Sequence, residues 1–259
     1  MPWFDAGVNL LDRRFNAQEV VLRAIDAGVT RLCIITTHPG EWERAVALYQ
    51  QFPNVCCYTV GIHPHNAKDA IASDFERLRE FAQLPGAVAI GECGLDFNRN
   101  FSPKEAQLSA FEAQLQIASE LKMPVYLHER DAFSDQIACL KKIQNSFVGG
   151  IAHCFTGNKE SLDAYLNMGL YIGITGWACD ENKGQILRTA ISHIPLDRII
   201  LETDAPYLFP KTLRPRKRNN EPMFLPHIAE QIGELMHVST EILRDSSYVN
   251  ACRLFSLGD

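Results

Sequence analysis

The sequence lacks the long apolar stretch that a membrane-spanning segment requires. No uncharged apolar run among its 259 residues approaches the roughly 20 residues that a transmembrane helix needs. The N-terminal segment, MPWFDAGVNLLDRRF, also lacks a basic region followed by an apolar stretch, which is the pattern of a secretory signal. We therefore expect a cytoplasmic protein that does not associate with membranes, and a monomer.

An excess of basic residues and closely spaced cysteine pairs are also absent. The 25 Lys and Arg residues are outnumbered by 31 Asp and Glu residues, and the formal net charge is −6. This balance argues against a protein that coats nucleic acid by bulk electrostatics. There is no CxxC motif, and most of the eight cysteines lie in or beside apolar segments, where a reduced thiol behaves as a small hydrophobe. We expect free cysteines in a reducing compartment.

Eight short apolar segments rich in β-branched residues recur along the chain. Their nearly continuous hydrophobicity is typical of parallel strands that are buried on both faces. The segments are residues 3–10, 31–36, 55–62, 87–92, 124–128, 148–153, 170–175 and 198–203. Helical patterns lie between them, and before one of these helices Ser102 is predicted to be the N-cap and Pro103 the first helical residue.

The regular alternation of strands and helices predicts the fold. Eight alternations fit a (β/α)8 barrel, or TIM barrel, whose usual length is about 250 residues. A doubly wound open sheet is the main alternative, but the first strand is not followed by GxGxxG, the dinucleotide-binding fingerprint of that fold. No linker, repeat or low-complexity tract divides the chain. We therefore predict one α/β domain that spans residues 1–259.

Residue types that commonly bind metal ions follow the predicted strands at their C-terminal ends. They are His63-Pro64-His65 after the third strand, Glu92 after the fourth, His128 after the fifth, His153 after the sixth and Glu202-Thr203-Asp204 after the eighth. In a barrel these strand ends meet at one mouth, where the active sites of this architecture lie. Any one of these residues alone would be explained more simply, as a hydrogen-bonded core histidine or as an ion pair between Glu92 and an arginine such as Arg130.

Four ligand-type residues on four separate strand ends instead predict a divalent metal site. Its ligands would be Glu92, His128, His153 and Asp204. Two imidazoles and two carboxylates suit Zn²⁺, Mn²⁺ or Fe²⁺, and a carboxylate-rich site that retains water also suits Mg²⁺. Such an ion would make hydroxide available at neutral pH, and Asp204 is the candidate for accepting the proton.

Other polar residues near the predicted mouth are candidates for substrate binding. His63 and His65 could contact either the metal or a substrate phosphate, and Asp96 and Arg130 could bind substrate or form an ordinary salt bridge. The densest basic cluster is Arg-Pro-Arg-Lys-Arg at 214–218, which could hold phosphates by charge-assisted hydrogen bonds or be a solvated loop. The remaining histidines are interpreted as surface or packing residues; they are His38, His193, His227 and His237.

Several longer motifs carry a family resemblance. In chain order they are GIHPH, AIGECGLDF, PVYLHERDAF, AHCFTG, YIGITGW and ILETDAPYL. Together they strongly resemble the TatD family of metal-dependent deoxyribonucleases, members of the amidohydrolase-like barrel superfamily, over essentially the whole chain. The resemblance implies a Mg²⁺-dependent 3′ to 5′ exonuclease that acts on single-stranded DNA and RNA, with a proposed part in the repair of oxidative DNA damage.

The same resemblance implies roles for individual residues. It implies that Glu92, His128 and His153 bind the metal and that Asp204 is the catalytic aspartate. It further implies that the HPH motif, with His63 and His65, contacts substrate phosphate.

The sequence departs from the family pattern at two places. Many family members carry Asp-x-His-x-His at the end of the first strand, with two ligands for a second metal, whereas the matching stretch here is Asp5-Ala6-Gly7-Val8-Asn9. Because glycine has no ligand side chain and an amide is a weak oxygen donor, we expect one firmly held metal and a second only with substrate. The RNEP-like motif of relatives reads Arg218-Asn219-Asn220-Glu221-Pro222, so the position of its arginine differs and the role of Arg218 stays open.

Two other functions are compatible with these residues. One is an amidohydrolase-like enzyme that cleaves a small ester, amide or lactone. The other is a catalytically silent barrel that binds nucleic acid or a protein partner.

Overall fold

The computed structural model describes residues 1–258, and their parallel strands form one eight-stranded sheet in the order β1 to β8. The strands are β1 (Trp3–Val8), β2 (Val29–Ile34), β3 (Cys56–Val60), β4 (Ala87–Asp96), β5 (Val125–Arg130), β6 (Gly150–Ala152), β7 (Tyr171–Ile174) and β8 (Ile199–Leu201). Backbone hydrogen bonds close the ring, from Asp204 N to Gly7 O at 2.9 Å and from Asn9 N to Ala205 O at 2.8 Å. The predicted (β/α)8 barrel is therefore confirmed, and the open doubly wound sheet is not the fold.

Helices follow each strand and cover the outside of the barrel. Among the described residues they are α1 (Ala17–Asp26), α2 (Pro39–Gln51), α3 (Ala72–Ala82), α4 (Lys104–Leu121), α5 (Phe133–Lys142), α6 (Lys159–Asn167), α7 (Gln185–Ile191), α8 (Leu225–Met236) and α9 (Thr240–Leu254), with 3₁₀ turns at Pro64–Asp69, Gly176–Cys179 and Pro222–Phe224. None of these helices combines the length and the apolar character needed to cross a lipid bilayer.

The predicted start of α4 is wrong by one position, because Ser102 does not cap the helix. The N-cap is Pro103, and the Ser102 hydroxyl instead donates to His65 O at 2.9 Å and accepts from Lys68 N at 3.1 Å. A serine hydroxyl bonds whichever backbone group lies within reach, and here the neighbouring turn after β3 is closer than the helix. Ser102 therefore ties the β4–α4 loop to the turn that carries His65.

The end of β4 also differs from the prediction. The strand continues beyond Glu92 to Asp96, since it stays paired with β5 as far as Asp96 and Arg130. The pairing shifts by one residue between Gly91 and Cys93, which leaves Glu92 as the extra residue of a β-bulge. A bulge changes the direction of its side chain, and this one turns the Glu92 carboxylate into the barrel mouth.

The core has one layer between the sheet and the helices and a second layer inside the barrel. The inner layer includes Phe4 of β1 and Cys33 of β2, and α9 packs against it at the end opposite the mouth, where the Phe255 ring lies 5.9 Å from the Phe4 ring. The eight cysteines form no disulfide with one another, and seven of them are buried. Because apolar side chains fill this end, the polar residues of the barrel are concentrated at the other end.

Candidate active site

A pocket of about 510 Å³ opens at the C-terminal ends of the strands. Eight of the nine predicted site residues line it; they are His63, His65, Glu92, Asp96, His128, Arg130, His153 and Asp204. Arg218 does not line the pocket, and its side chain is exposed in the loop between β8 and α8. The convergence that strand ends of a barrel predict is therefore present for all of these residues except Arg218.

Glu92 lies at the centre of a cluster of imidazoles. Its Oε1 atom is 3.0 Å from His128 Nδ1, 3.6 Å from His63 Nε2 and 3.8 Å from His153 Nε2. One donor atom each from His63, Glu92 and His128 lie within 4.8 Å of one another. Imidazole nitrogens and a carboxylate oxygen are ligand types for divalent cations, so these three residues fit a metal site. The sequence left open whether His63 contacts the metal or a substrate phosphate, and the structure places it in this cluster.

His153 and Asp204 lie beside the cluster. His153 Nε2 is 3.7 Å from Asp204 Oδ1, and Asn9 donates to the same carboxylate oxygen at 2.9 Å. Asp204 has a positive φ of 53°, an unusual backbone conformation for a residue other than glycine. Its place in the ring is fixed by the Asp204 N–H bond to Gly7 that closes the barrel.

Glu202 is a fully buried residue of the site to which the sequence analysis assigned no role. Its carboxylate accepts hydrogen bonds from the Tyr126 hydroxyl and from Cys154 N, and its Oε1 lies 2.9 Å from His153 Nδ1. This contact fixes the His153 ring so that the other nitrogen faces Glu92 and Asp204. Both Glu202 and Asp204 follow the end of β8, so the position of Glu202 at a strand end was the signal in the sequence.

Asp96 organises two histidines and does not pair with Arg130. Its Oδ2 atom lies 2.7 Å from His65 Nε2 and 3.3 Å from His128 Nε2, and its Oδ1 atom accepts from the backbone of Asn98 and Arg99. The Arg130 guanidinium lies instead over the Trp177 ring, 6.0 Å from its centroid. The ordinary salt bridges considered for Asp96 and for Glu92 with Arg130 are therefore not formed.

The pocket carboxylates create a field that favours positive charge. Burial acts to raise the pKa of Glu92, but the neighbouring histidines outweigh it and hold that pKa below its ordinary value. Burial keeps the pKa of His63 well below its ordinary value, which favours the neutral imidazole. Burial acts in the same direction on His128, but hydrogen bonds with Asp96 and Glu92 raise its pKa to about 9. Burial raises the pKa of Asp204 to about 6. The field that stabilises an imidazolium would also stabilise a bound cation.

The loop between β8 and α8, which contains the basic cluster at 214–218, is attached to the barrel by the residues that follow Arg218. Asn220 is buried and donates to Thr203 O at 2.9 Å, and Glu221 accepts from the Arg23 side chain at 2.7 Å. Arg214 bonds backbone carbonyls of its own loop. The polar groups that follow Arg218 therefore hold the loop in place, and a phosphate contact by Arg218 itself stays a prediction. The four other histidines do not line the pocket; they are His38, His193, His227 and His237.

Gly7, the first-strand position for which the family pattern implies a histidine, has no room for a larger side chain. A Cβ atom at Gly7 would overlap the Tyr126 hydroxyl and lie 2.8 Å from Glu202 Oε1. The hydrogen-bonded pair of Tyr126 and Glu202 thus occupies the space beside β1. Asn9 lines the pocket and bonds Asp204. This packing supports the expectation that the first strand does not hold a metal through a histidine at this position.

We expect Gly7→Ala to lower the free energy of unfolding by about 2 to 4 kcal/mol, because overpacking in a rigid buried site forces its neighbours to shift. Removing the hydroxyl with Tyr126→Phe should reduce the cost of the alanine by more than half. The measurement is a double-mutant cycle of urea unfolding with the wild type, both single variants and the double variant. An identical cost of Gly7→Ala in the two backgrounds would show that Tyr126 does not exclude side chains from this position.

Comparison with known proteins agrees with this architecture. The sequence model of the TatD-related DNases matches residues 4–256. The "3′-5′ ssDNA/RNA exonuclease TatD" of Pectobacterium parmentieri is 48% identical over 258 residues, which are 98% of this chain and 99% of that protein. Two solved structures have a TM-score of 0.90 at 24% identity: a TatD homologue from Escherichia coli, with 99% of this chain and 98% of that chain covered, and a TatD family hydrolase from Entamoeba histolytica, with 98% of each.

The two structural likenesses establish the fold, and the sequence similarity establishes the family. The family model and the curated relative both match nearly the whole length of the sequence. This chain therefore belongs to the TatD-related DNases.

Proposed function

We propose that this chain is a metal-dependent exonuclease that hydrolyses phosphodiester bonds of single-stranded DNA and RNA from the 3′ end. The observation that carries the proposal is the cluster of buried His63, buried Glu92 and half-buried His128 that lines an open pocket. The name of the relative with 48% identity supports both the substrate and the direction. A nuclease needs to stabilise a transferring phosphoryl group, and a divalent cation does so effectively.

The metal ligands in this proposal are Glu92, His128 and His153. His63 is added because its Nε2 atom lies 3.6 Å from Glu92 Oε1. We infer Mg²⁺ as the ion, since the pocket also contains carboxylates that can bind its water ligands; Mn²⁺ and Zn²⁺ are the alternatives. The chemistry that a bound cation supplies is polarisation of a phosphoryl oxygen and acidification of water.

Asp204 is the proposed proton acceptor or an additional ligand. Asn9 donates to one of its carboxylate oxygens at 2.9 Å, which fixes the orientation of the group. No hydrogen bond from residues 1–258 is made to the other oxygen, Oδ2. An oriented carboxylate with one oxygen available is suited to accept a proton from water during hydrolysis.

Glu202 and Tyr126 are proposed to position His153. Their contacts with Nδ1 leave Nε2 as the ring nitrogen that faces the pocket. Carboxylates that hold the outer nitrogen of a ligating histidine orient the ring and increase its basicity. Asp96 would act in the same way on His128, and it would also hold His65 in place to contact a substrate phosphate.

The test is timed digestion of 5′-labelled single-stranded DNA with Mg²⁺, with Mn²⁺ and with a chelator. We expect a ladder of progressively shorter labelled products with either metal and no products with the chelator. Purified protein is assayed in parallel on a 5′-labelled RNA of the same sequence and on a panel of small esters and lactones.

Three results would contradict the proposal. Binding of the oligonucleotide without cleavage at any metal concentration would support the silent barrel. Turnover of a small ester without nucleic acid cleavage would support the amidohydrolase-like enzyme. Full activity after exhaustive chelation and dialysis would rule out metal dependence.

A further inference from the structure

We propose that the nucleic acid strand leaves the pocket across one particular wall, formed by Arg99, Arg130 and Trp177. In this inference, which rests on the proposed function, the two arginines contact backbone phosphates and the tryptophan stacks on a base. We call these three residues the exit wall. The enzyme would therefore recognise several nucleotides beyond the one that it removes.

The two arginines of the exit wall lack carboxylate partners. Arg99 follows β4, Arg130 ends β5, and both are exposed and line the pocket. Among residues 1–258 neither guanidinium forms an ion pair. The two acidic residues that flank Arg130 in sequence direct their carboxylates to other groups: Glu129 accepts from Ala132 N at 2.7 Å, and Asp131 accepts from the Asn98 side chain at 2.6 Å. Guanidinium groups that form no ion pair, at the mouth of a pocket, match the geometry of phosphate oxygens.

These arginines contrast with arginines on the outer surface. Arg77 pairs with Glu43 at 3.3 Å, and Arg79 pairs with Glu120 at 3.0 Å. The whole chain has more acidic than basic residues, so a pocket arginine without an acidic partner is not explained by a general excess of positive charge. The local charge at the exit wall is available for a ligand.

Trp177 supplies an aromatic surface beside Arg130, whose guanidinium lies 6.0 Å from the centroid of its ring. It lies in the 3₁₀ turn Gly176–Cys179 after β7, is half-buried and lines the pocket. Thr175 caps the turn by accepting from Trp177 N at 3.3 Å, which restricts its backbone. The indole N–H forms no hydrogen bond with the described residues. Single-strand binding proteins combine such aromatic platforms with basic grooves, because every base has a face that can stack.

A neighbouring groove is less suited to a phosphate backbone. A second groove of about 340 Å³ adjoins the pocket at Asn66, and its lining includes Asp69 and Asp74. Two carboxylates beside a groove repel phosphates. A strand whose end lies at Glu92 therefore meets attraction at the exit wall and repulsion at the second groove, which gives the strand one preferred path.

The experiment measures binding without turnover. Fluorescence anisotropy with labelled oligothymidylates of 3 and 12 nucleotides is recorded in a chelator, at several salt concentrations. The variants are Arg99→Ala/Arg130→Ala and Trp177→Ala. The matched control is Arg77→Ala/Arg79→Ala, which removes the same charge from the outer face of the barrel. Thermal melting of each variant, together with Trp177→Phe, separates loss of binding from loss of folding.

We expect the wild type to bind the 12-mer more tightly than the 3-mer. Loss of two phosphate contacts should reduce the slope of log K against log salt by roughly 1.4 in the Arg99→Ala/Arg130→Ala variant, from about 0.7 for each phosphate on a single strand. Trp177→Ala should bind the 12-mer about 5- to 100-fold more weakly. Trp177→Phe should retain most of the affinity, because a smaller aromatic ring still stacks.

The proposal is overturned if the arginine variant has the salt slope of the wild type, if it loses no more affinity than the control variant, or if the wild type does not bind in chelator. It is also overturned if a folded Trp177→Ala protein binds like the wild type. Cleavage assays with metal distinguish this failure from failure of the proposed function. If the wild type cleaves DNA and the variants bind it normally, only the exit-wall proposal is rejected. If the wild type binds through these residues but does not cleave, only the proposed nuclease function is rejected.

Discussion

Replacing Glu92 with glutamine is expected to lower kcat/KM for single-stranded DNA by roughly 1,000-fold or more while the barrel stays folded. Glu92 Oε1 lies between His128, His63 and His153 at 3.0 to 3.8 Å. The amide keeps the shape of the side chain but removes the negative charge that would hold a cation. Metal-ion stabilisation of a transition state amounts to several kcal/mol, and each 1.36 kcal/mol corresponds to a factor of ten in rate.

The measurement for Glu92→Gln is the initial rate of digestion of a 5′-labelled oligonucleotide, with circular dichroism melting to establish folding. Glu129→Gln is a suitable control, because Glu129 lines the same pocket but its carboxylate bonds a backbone N–H. The control should retain activity within about tenfold of the wild type, since an amide oxygen can accept the same hydrogen bond. A folded Glu92→Gln protein with near wild-type kcat/KM would reject the assignment of Glu92.

Replacing Asp204 with asparagine is expected to lower kcat by roughly 100- to 10,000-fold, the range for loss of a general base. Asp204 is oriented by Asn9 at 2.9 Å and lies 3.7 Å from His153. An asparagine can keep the contact with Asn9 through its carbonyl oxygen but cannot accept a proton from water. The loss should therefore appear mainly in kcat, with KM for the oligonucleotide nearly unchanged.

A metal titration separates the two roles considered for Asp204. If it is the base, raising Mg²⁺ or Mn²⁺ to saturation leaves the kcat of Asp204→Asn low. If it is only a ligand, saturating metal restores kcat to near the wild-type value. Asn9→Ala is the companion variant, and it should lose less activity than Asp204→Asn because it removes only the contact that orients the carboxylate.

The strands of the barrel could be predicted because they are continuous hydrophobic segments. Strands such as β7 and β8 are buried on both faces because helices cover one side and the barrel interior the other, so their positions could be recognised without tertiary information. The start of α4 was misplaced because the hydroxyl of Ser102 bonds the turn after β3, a neighbour that is 37 residues away in sequence. Local capping rules do not contain such contacts.

The candidate site was predictable to the extent that it depends on strand ends. Glu92, His128, His153 and Asp204 could be grouped because the C-terminal ends of barrel strands meet. The part played by Glu202 was missed, since a carboxylate at the end of a strand does not reveal whether it faces the metal or the outer nitrogen of a histidine. The prediction for Arg218 was made from the basic cluster after the eighth strand and from the RNEP-like motif, and the described structure places Arg218 outside the pocket lining.

The sequence by itself determined the barrel, the family and the set of polar residues at the mouth, because strand periodicity and long motifs are local properties of the chain. Tertiary structure alone decided which side chains meet: that a bulge in β4 turns Glu92 inward, that His63 joins the cluster, and that Tyr126 and Glu202 fill the space beside Gly7. The physical reason is that these contacts depend on strand register and side-chain packing across the ring. Neither is specified by the residues of any one segment.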